Sequence, residues 1–149
     1  MTDILDEILR FLKEEAVFTL PNVTVKEAYL VNTALDLPLL TVDELPGNDG
    51  VYLDNQPRVV RNLITLEAYA SQLVFEDPAS GEPVLLTGKR AAYRLLEEAD
   101  KQLNARFGLT MTGSIAYAPY EDTNVVRAVA NYFAYIDTRT NLIYRRINT

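Results

Sequence analysis

Two hydrophobic rhythms run along this chain. Near its start Ile4, Leu5, Ile8, Leu9 and Leu12 recur at intervals of three and four, which lines one face of a helix with apolar side chains. Thr2 is a candidate N-cap, and Asp3, Asp6 and Glu7 fill the first turns, where the helix dipole favours anions. The pattern predicts a helix that ends near Glu15, ahead of Pro21. The same rhythm returns in GKRAAYRLLEEADKQLNARF. There Ala92, Leu95, Leu96, Ala99, Leu103 and Phe107 form a stripe, and Lys89, Arg90, Glu97, Glu98, Lys101 and Arg106 lie largely off it. Thr87 can cap this helix, and Gly108 stands where a left-handed residue closes one. Glu97 and Lys101 are spaced as an i,i+4 ion pair. A helix with one such stripe packs one side on a sheet and leaves the other wet.

Elsewhere the rhythm is that of strands. VTVKEAYLV (residues 23–31), LLTVDEL (39–45) and the long LITLEAYASQLVF (63–75) are three candidates. MTGSIAY (111–117) offers a short one. VVRAVANYFAYIDTRTNLIYRR (125–146) reads as a long strand, the polar turn DTRTN and a returning strand. DPASGEP (77–83) is a turn that leads into the second helix. Strands grouped apart from helices argue for an α+β fold. The expectation is a mostly antiparallel mixed β-sheet, two helices packed on one side, and a C-terminal β-hairpin. PGNDGVYLDNQP (46–57) differs from its surroundings. Its prolines, glycines, asparagines and aspartates exclude a central strand, though residues 51–53 can briefly extend. Loops of this kind are functional or lie at a sheet edge.

The length, 149 residues, suits one domain with a core that needs no covalent staples. Composition narrows the chemistry more sharply. There is no cysteine and no histidine. Disulfides, thiolate catalysis, zinc–thiolate sites and Ser-His-Asp or Cys-His schemes are thereby excluded. The net charge is −7, which repels nucleic acid over most of the surface. A protein that grips DNA should not look like this, whereas one that lets DNA slide past can. The start of the chain is too acidic, and lacks the long apolar core, for a signal peptide. No run approaches the ~20 apolar residues of a membrane span. The expectation is a soluble protein made in a cytoplasm.

Searching for a site removes more classes. The adjacent carboxylates Glu14–Glu15, Asp43–Glu44, Glu97–Glu98 and Glu121–Asp122 point apart on a helix or strand, so adjacency makes no acid/base pair; they read as solvated surface. DNQPR and YEDTN hold oxygen ligands but lack the spacing of a calcium loop. LLTGKR has the look of the end of a phosphate loop, yet the upstream glycine and the following Ser or Thr are missing. No cofactor or metal is expected. The inventory argues against an enzyme. The nine tyrosines suit half-buried sheet positions, and also protein interfaces.

The C-terminal half carries a family likeness. LLTGKRAAYRLLEEADKQLNARFGLTMTG, followed by EDTNVVRAVANYFAYIDTRTNLIYRR, resembles the tail terminator (tail-completion or minor tail) proteins of long-tailed bacteriophages. In these a helix ends at a glycine, an MTG-like segment follows, a D-x-N-V-x-R entry opens a long strand, and a YRR-like strand closes the chain. The N-terminal half agrees in order with less specific motifs. The resemblance implies a virion structural protein, a hexameric ring on the head-proximal end of the tail tube. That ring stops tube polymerisation and meets the head connector. It implies as partners the chain itself, the major tail tube protein and the connector or neck protein. DNA is only a passing cargo, and no membrane is involved. The alternatives are a head neck or connector-completion protein and, from another class, a small-molecule or peptide-binding module; an enzyme working with carboxylates alone is a third.

On that reading, Arg127 is an arginine on an otherwise apolar strand face and needs a partner. The candidates are Glu121, Asp122 or Glu67 of a neighbouring subunit, or an intramolecular pair. Arg139 stands at the tip of the expected turn, or serves only as an ordinary turn residue. Arg145 and Arg146 give the last strand a basic end that can meet the acidic first helix or the next subunit. Arg58 and Arg61 flank a Val pair; they can meet the tube protein or simply guard an edge. Tyr135 is a further interface candidate. Asn48, Asp49, Asp54 and Asn55 belong to a loop expected to face the lumen or to order on docking.

Overall fold

In a computed structural model the described residues are 4–28, 36–45, 50–53, 56–118, 120, 124–137 and 142–143. The elements along the chain are α1 (Ile4–Glu14), β1 (Thr24–Glu27), β2 (Leu39–Leu45), β3 (Gly50–Leu53), β4 (Gln56–Ala70), β5 (Leu73–Glu76), β6 (Pro83–Leu86), α2 (Gly88–Phe107), β7 (Met111–Ala118), β8 (Val126–Asp137) and β9 (Leu142–Ile143). Two helices and a strand-rich mixed sheet make an α+β fold. The main sheet runs β1-β2-β4-β8-β7; β3 joins β4, and β9 joins β8. β1 and β2 are parallel, and every other pairing in the sheet is antiparallel.

The sheet has one dry face. Leu40 and Val42 of β2, Ile64, Leu66, Ala68 and Ala70 of β4, and Ala128, Ala130, Tyr132, Ala134 and Ile136 of β8 alternate onto it, as the two-residue side-chain period requires. Ile4, Ile8, Leu9 and Leu12 of α1 and the expected stripe of α2, with Ala91 added, complete the same core. Each buried Leu or Ile contributes about 1.5–3 kcal/mol of apolar burial. The strand alanines under α2 leave little bulk between helix and sheet, and Gly88 lies close against the ends of β4 and β8. A Cβ there would meet the Ala70 carbonyl oxygen at 3.0 Å and the Val126 side chain at 3.1 Å.

Helix ends follow the sequence. The Thr87 hydroxyl accepts from the Arg90 amide (3.3 Å), and Gly108 takes the left-handed conformation at φ 72° while its amide bonds the Asn104 carbonyl. The polar side of α2 is used more than the sequence implied. Gln102 clamps the backbone of Val17 with two hydrogen bonds of 2.8 Å. Glu98 accepts the Thr19 amide and hydroxyl at 3.0–3.1 Å, so this carboxylate ties the segment after α1 to α2. Phe11 meets Phe107 edge-on at 5.6 Å. From the core, the Tyr132 hydroxyl donates to Asp100 of α2 (2.8 Å).

Expectations about the strands and one turn need correction. The candidate strand over 63–75 is divided: β4 stops at Ala70, and after Ser71 and Gln72 the chain enters β5, which among the described residues pairs only with β6 in a separate ribbon. The turn over 77–83 closes that ribbon through the Asp77 and Gly81 backbone bonds, and does not lead directly into α2. β4 also begins earlier than expected, at Gln56, because β3 pairs with it at the sheet margin. In the candidate strand over 23–31, β1 covers Thr24–Glu27, and 29–31 lie outside the described residues. β9 pairs Leu142 and Ile143 with Asp137 and Ile136; residues 138–141 and 144–149 lie outside the described residues, as do Thr2 and Asp3.

Candidate interaction surface

The opposite face of the sheet carries no helix among the described residues. Strand registers arrange it in rungs. The first is Leu39–Tyr69–Arg127–Ala118, and the second Thr41–Glu67–Val129–Ala116. Asp43–Thr65–Asn131–Thr112 comes next, then Leu45–Leu63–Phe133, and finally Arg61–Tyr135.

The two ends of this face differ in character. At the Leu39 end, Leu39, Thr41 and Tyr69 are buried, and Tyr120 stands edge-on to Tyr69 at 5.4 Å. Arg127 forms a charge-assisted hydrogen bond with Glu67. Tyr69 donates its hydroxyl to the other Glu67 oxygen at 2.6 Å. The Glu67 bond raises the guanidinium pKa above its ordinary value, and burial works against it. Burial, reinforced by the hydrogen bond to Glu67, raises the Tyr69 phenol well above its usual range. One carboxylate thus binds two donors, and the partner that Arg127 needed lies within its own chain. In the middle, the Thr65 hydroxyl bonds Asn131 across the strands (2.9 Å).

At the far end the face opens. Leu45 is 58% exposed, Phe133 36% and Tyr135 47%. The Arg61 guanidinium sits 4.3 Å from the centre of the Phe133 ring, a stacked arrangement that keeps the cation at the surface over an apolar base. An aromatic and arginine cluster of this kind can cover a partner's apolar side chains and bond its carboxylates.

Of the residues singled out in the sequence, the structure brings Arg61 and Tyr135 together on one rung and sets Arg127 at the other end of the same face. Arg58 falls within β4, its side chain outside the described part. Glu121, Asp122, Arg139, Arg145 and Arg146, and the loop residues Asn48, Asp49, Asp54 and Asn55, also lie outside the described residues. Sequence reasoning missed Leu45 and Phe133 as surface residues. Alternation puts both opposite the buried Val42 and Tyr132, which was the available signal; their alignment needed the register. Among the described residues no group of three or more carboxylates could hold a metal ion, and no helix is long and apolar enough to cross a membrane. Compared with known proteins, the chain matches no family model and no curated sequence.

Proposed function

We propose that this chain is a structural virion protein, a tail terminator or head–tail joining protein of a long-tailed phage that works as a homo-oligomeric ring, hexameric as in the proteins it resembles. The observation that carries the reading is the sheet face that no helix covers among the described residues, whose open end presents Leu45, Phe133 and Tyr135 with Arg61 stacked among them. A face of this composition suits contact between subunits or with the tail tube. The sheet with both helices packed in one core suits the fold that the resemblance implies. The net charge of −7 suits a channel that must not retain DNA, because an anionic wall gains nothing from displacing the counterions of DNA. In this reading β8, its turn and the returning strand form a C-terminal hairpin that extends the sheet toward a neighbour. The protein would act without catalysis or cofactor, at the head-proximal end of the tail in the virion and in the host cytoplasm during assembly.

The test is mass measurement and negative-stain imaging of the purified protein, with a tail-tube capping assay. Rings that bind tube ends and halt their growth are expected; a strict monomer that leaves tube length unchanged would sink the proposal. Co-purification with isolated tails, as against DNA-filled heads, separates a tail terminator from a neck protein.

A further inference from the structure

A second surface lies on the other side of the sheet, where α2 runs beside β7. Lys89, Arg90, Tyr93, Arg94 and Glu97 of α2 and Tyr117 of β7 line a groove of about 460 Å³. Its electrostatics run against the rest of the chain. Among the described residues Lys89, Arg90 and Arg94 make no ion pair, and the one carboxylate in the groove, Glu97, is engaged by Lys101 at 3.7 Å. Instead the cations lie over rings: Lys89 is 4.8 Å from the centre of Tyr117, and Arg94 is 5.9 Å from that of Phe75. Tyr93 and Tyr117 are 42% and 43% exposed. In a chain of net charge −7, carboxylates are plentiful, yet none among the described residues pairs with these three neighbouring cations.

The groove borders an open strand. Among the described residues β7 pairs only with β8, so it ends the sheet. MTGSIAYA contains no charged residue and no proline, two of the usual guards of an edge; a bulge between Thr112 and Ala116, with Gly113 at φ 71°, interrupts it, and Ala116–Ala118 beside the groove pair regularly with β8. β1, at the opposite margin, carries Lys26 and Glu27. An uncharged, regularly paired edge at Ala116–Ala118 beside a groove walled by a helix is the geometry in which an extended segment adds a strand: its backbone bonds the edge and its alternate side chains enter the groove.

We infer that the β7 edge and the α2 groove together form a docking site for an extended acidic segment of a partner protein. Its backbone would pair with β7, and its Asp or Glu side chains would meet Lys89, Arg90 and Arg94 between the two tyrosines. The inference does not rest on the ring reading, since it uses the opposite face of the sheet. Nucleic acid is the weaker occupant. The surrounding net negative charge opposes a polyanion along its whole length, whereas a peptide brings carboxylates only where the cations are.

The experiment titrates the protein against short dye-labelled peptides that alternate Glu or Asp with Val, Thr or Tyr, reading fluorescence anisotropy. Lysine counterparts and an oligothymidylate serve as comparisons. Amide exchange of β7 is followed in the same complexes. The acidic peptides are expected to bind, more weakly as salt rises, and to slow exchange along β7. Lys89→Glu/Arg90→Glu is expected to weaken binding by about tenfold or more. Acidic residues in the first turn of a helix favour folding, so an unchanged unfolding midpoint shows that the loss is not one of structure. Three results would each overturn the proposal: no acidic peptide binds, the charge-reversed protein binds as well as the original, or the oligothymidylate binds more tightly than the peptides at this groove.

Discussion

Replacing Arg127 with methionine removes one member of the Arg127–Glu67–Tyr69 cluster and keeps most of the side chain's apolar volume. Glu67 is then left with the Tyr69 hydroxyl alone. Truncating one partner of a fully buried pair costs about 3–5 kcal/mol, and an exposed pair contributes about 0–1 kcal/mol. The side chains of Arg127 and Glu67 are 31% and 17% exposed, so the expected loss lies between these limits, about 2 kcal/mol. For a chain of this length that corresponds to a fall in Tm of about 4–8 °C. Glu67→Gln in the same chain removes the uncompensated charge and keeps a hydrogen-bonding partner for Tyr69. The double variant should therefore recover most of the loss, returning to within about 1 kcal/mol of the original. Urea unfolding followed by circular dichroism, at several protein concentrations, measures all three proteins. A cost below about 0.5 kcal/mol for Arg127→Met, or simple additivity of the two substitutions, would refute a coupled Arg127–Glu67 pair. A loss that grows with protein concentration would place the partner of Arg127 in a neighbouring copy instead.

Other substitutions test other contacts. Burial and the hydrogen bond to Asp100 raise the Tyr132 phenol above its ordinary value. Stability tied to a raised pKa is complete below the unfolded value of about 10 and is lost as pH rises beyond it. Unfolding midpoints should therefore hold to about pH 9 and fall above about pH 10, less steeply in Tyr132→Phe, and phenolate absorbance should show Tyr69 and Tyr132 ionising only as the fold is lost. Thr87→Ala removes the cap of α2 and should cost about 1 kcal/mol in urea unfolding, with Thr87→Ser close to the original. Gly88→Val forces branched carbons against the Ala70 carbonyl and Val126, and a loss of about 2 kcal/mol or more is expected in thermal unfolding.

Both helices were legible in the sequence because their apolar spacing is regular, and α2 spans the residues that its caps Thr87 and Gly108 delimit. β2 and β8 were legible because one of their faces is dry, which makes alternation strict. The break after Ala70 was not. Tyr69, Ala70, Leu73 and Phe75 keep an apolar content that reads as one strand, and only the pairing of β5 with β6 divides it. The exposed rung was hidden for a related reason. Leu45, Leu63 and Phe133 belong to three distant segments, and only the register brings them side by side. For Arg127, an arginine on an apolar strand face called for a partner, but Glu67 was a candidate only in a neighbouring subunit and the intramolecular partner had no name; geometry pairs Arg127 with Glu67 of its own chain.

The pairing of β4 with β8 also governs how the chain reaches its fold. The bond between Glu67 and Arg127 joins residues 60 positions apart, and the two strands are neighbours along the whole interval from Val59 to Ala70. Until β8 has left the ribosome, the stretch of β4 from Val59 to Ala70 has one unpaired edge, with β2 and β3 on the other. Pairings this distant form slowly, because loop closure precedes any gain from contact. A nascent or truncated chain that lacks β8 would thus display an open strand rich in Val, Leu and Ile, a form prone to associate with other chains before folding is complete. Production of the protein should accordingly respond to chaperone supply and growth temperature more than the stability of the finished fold would suggest.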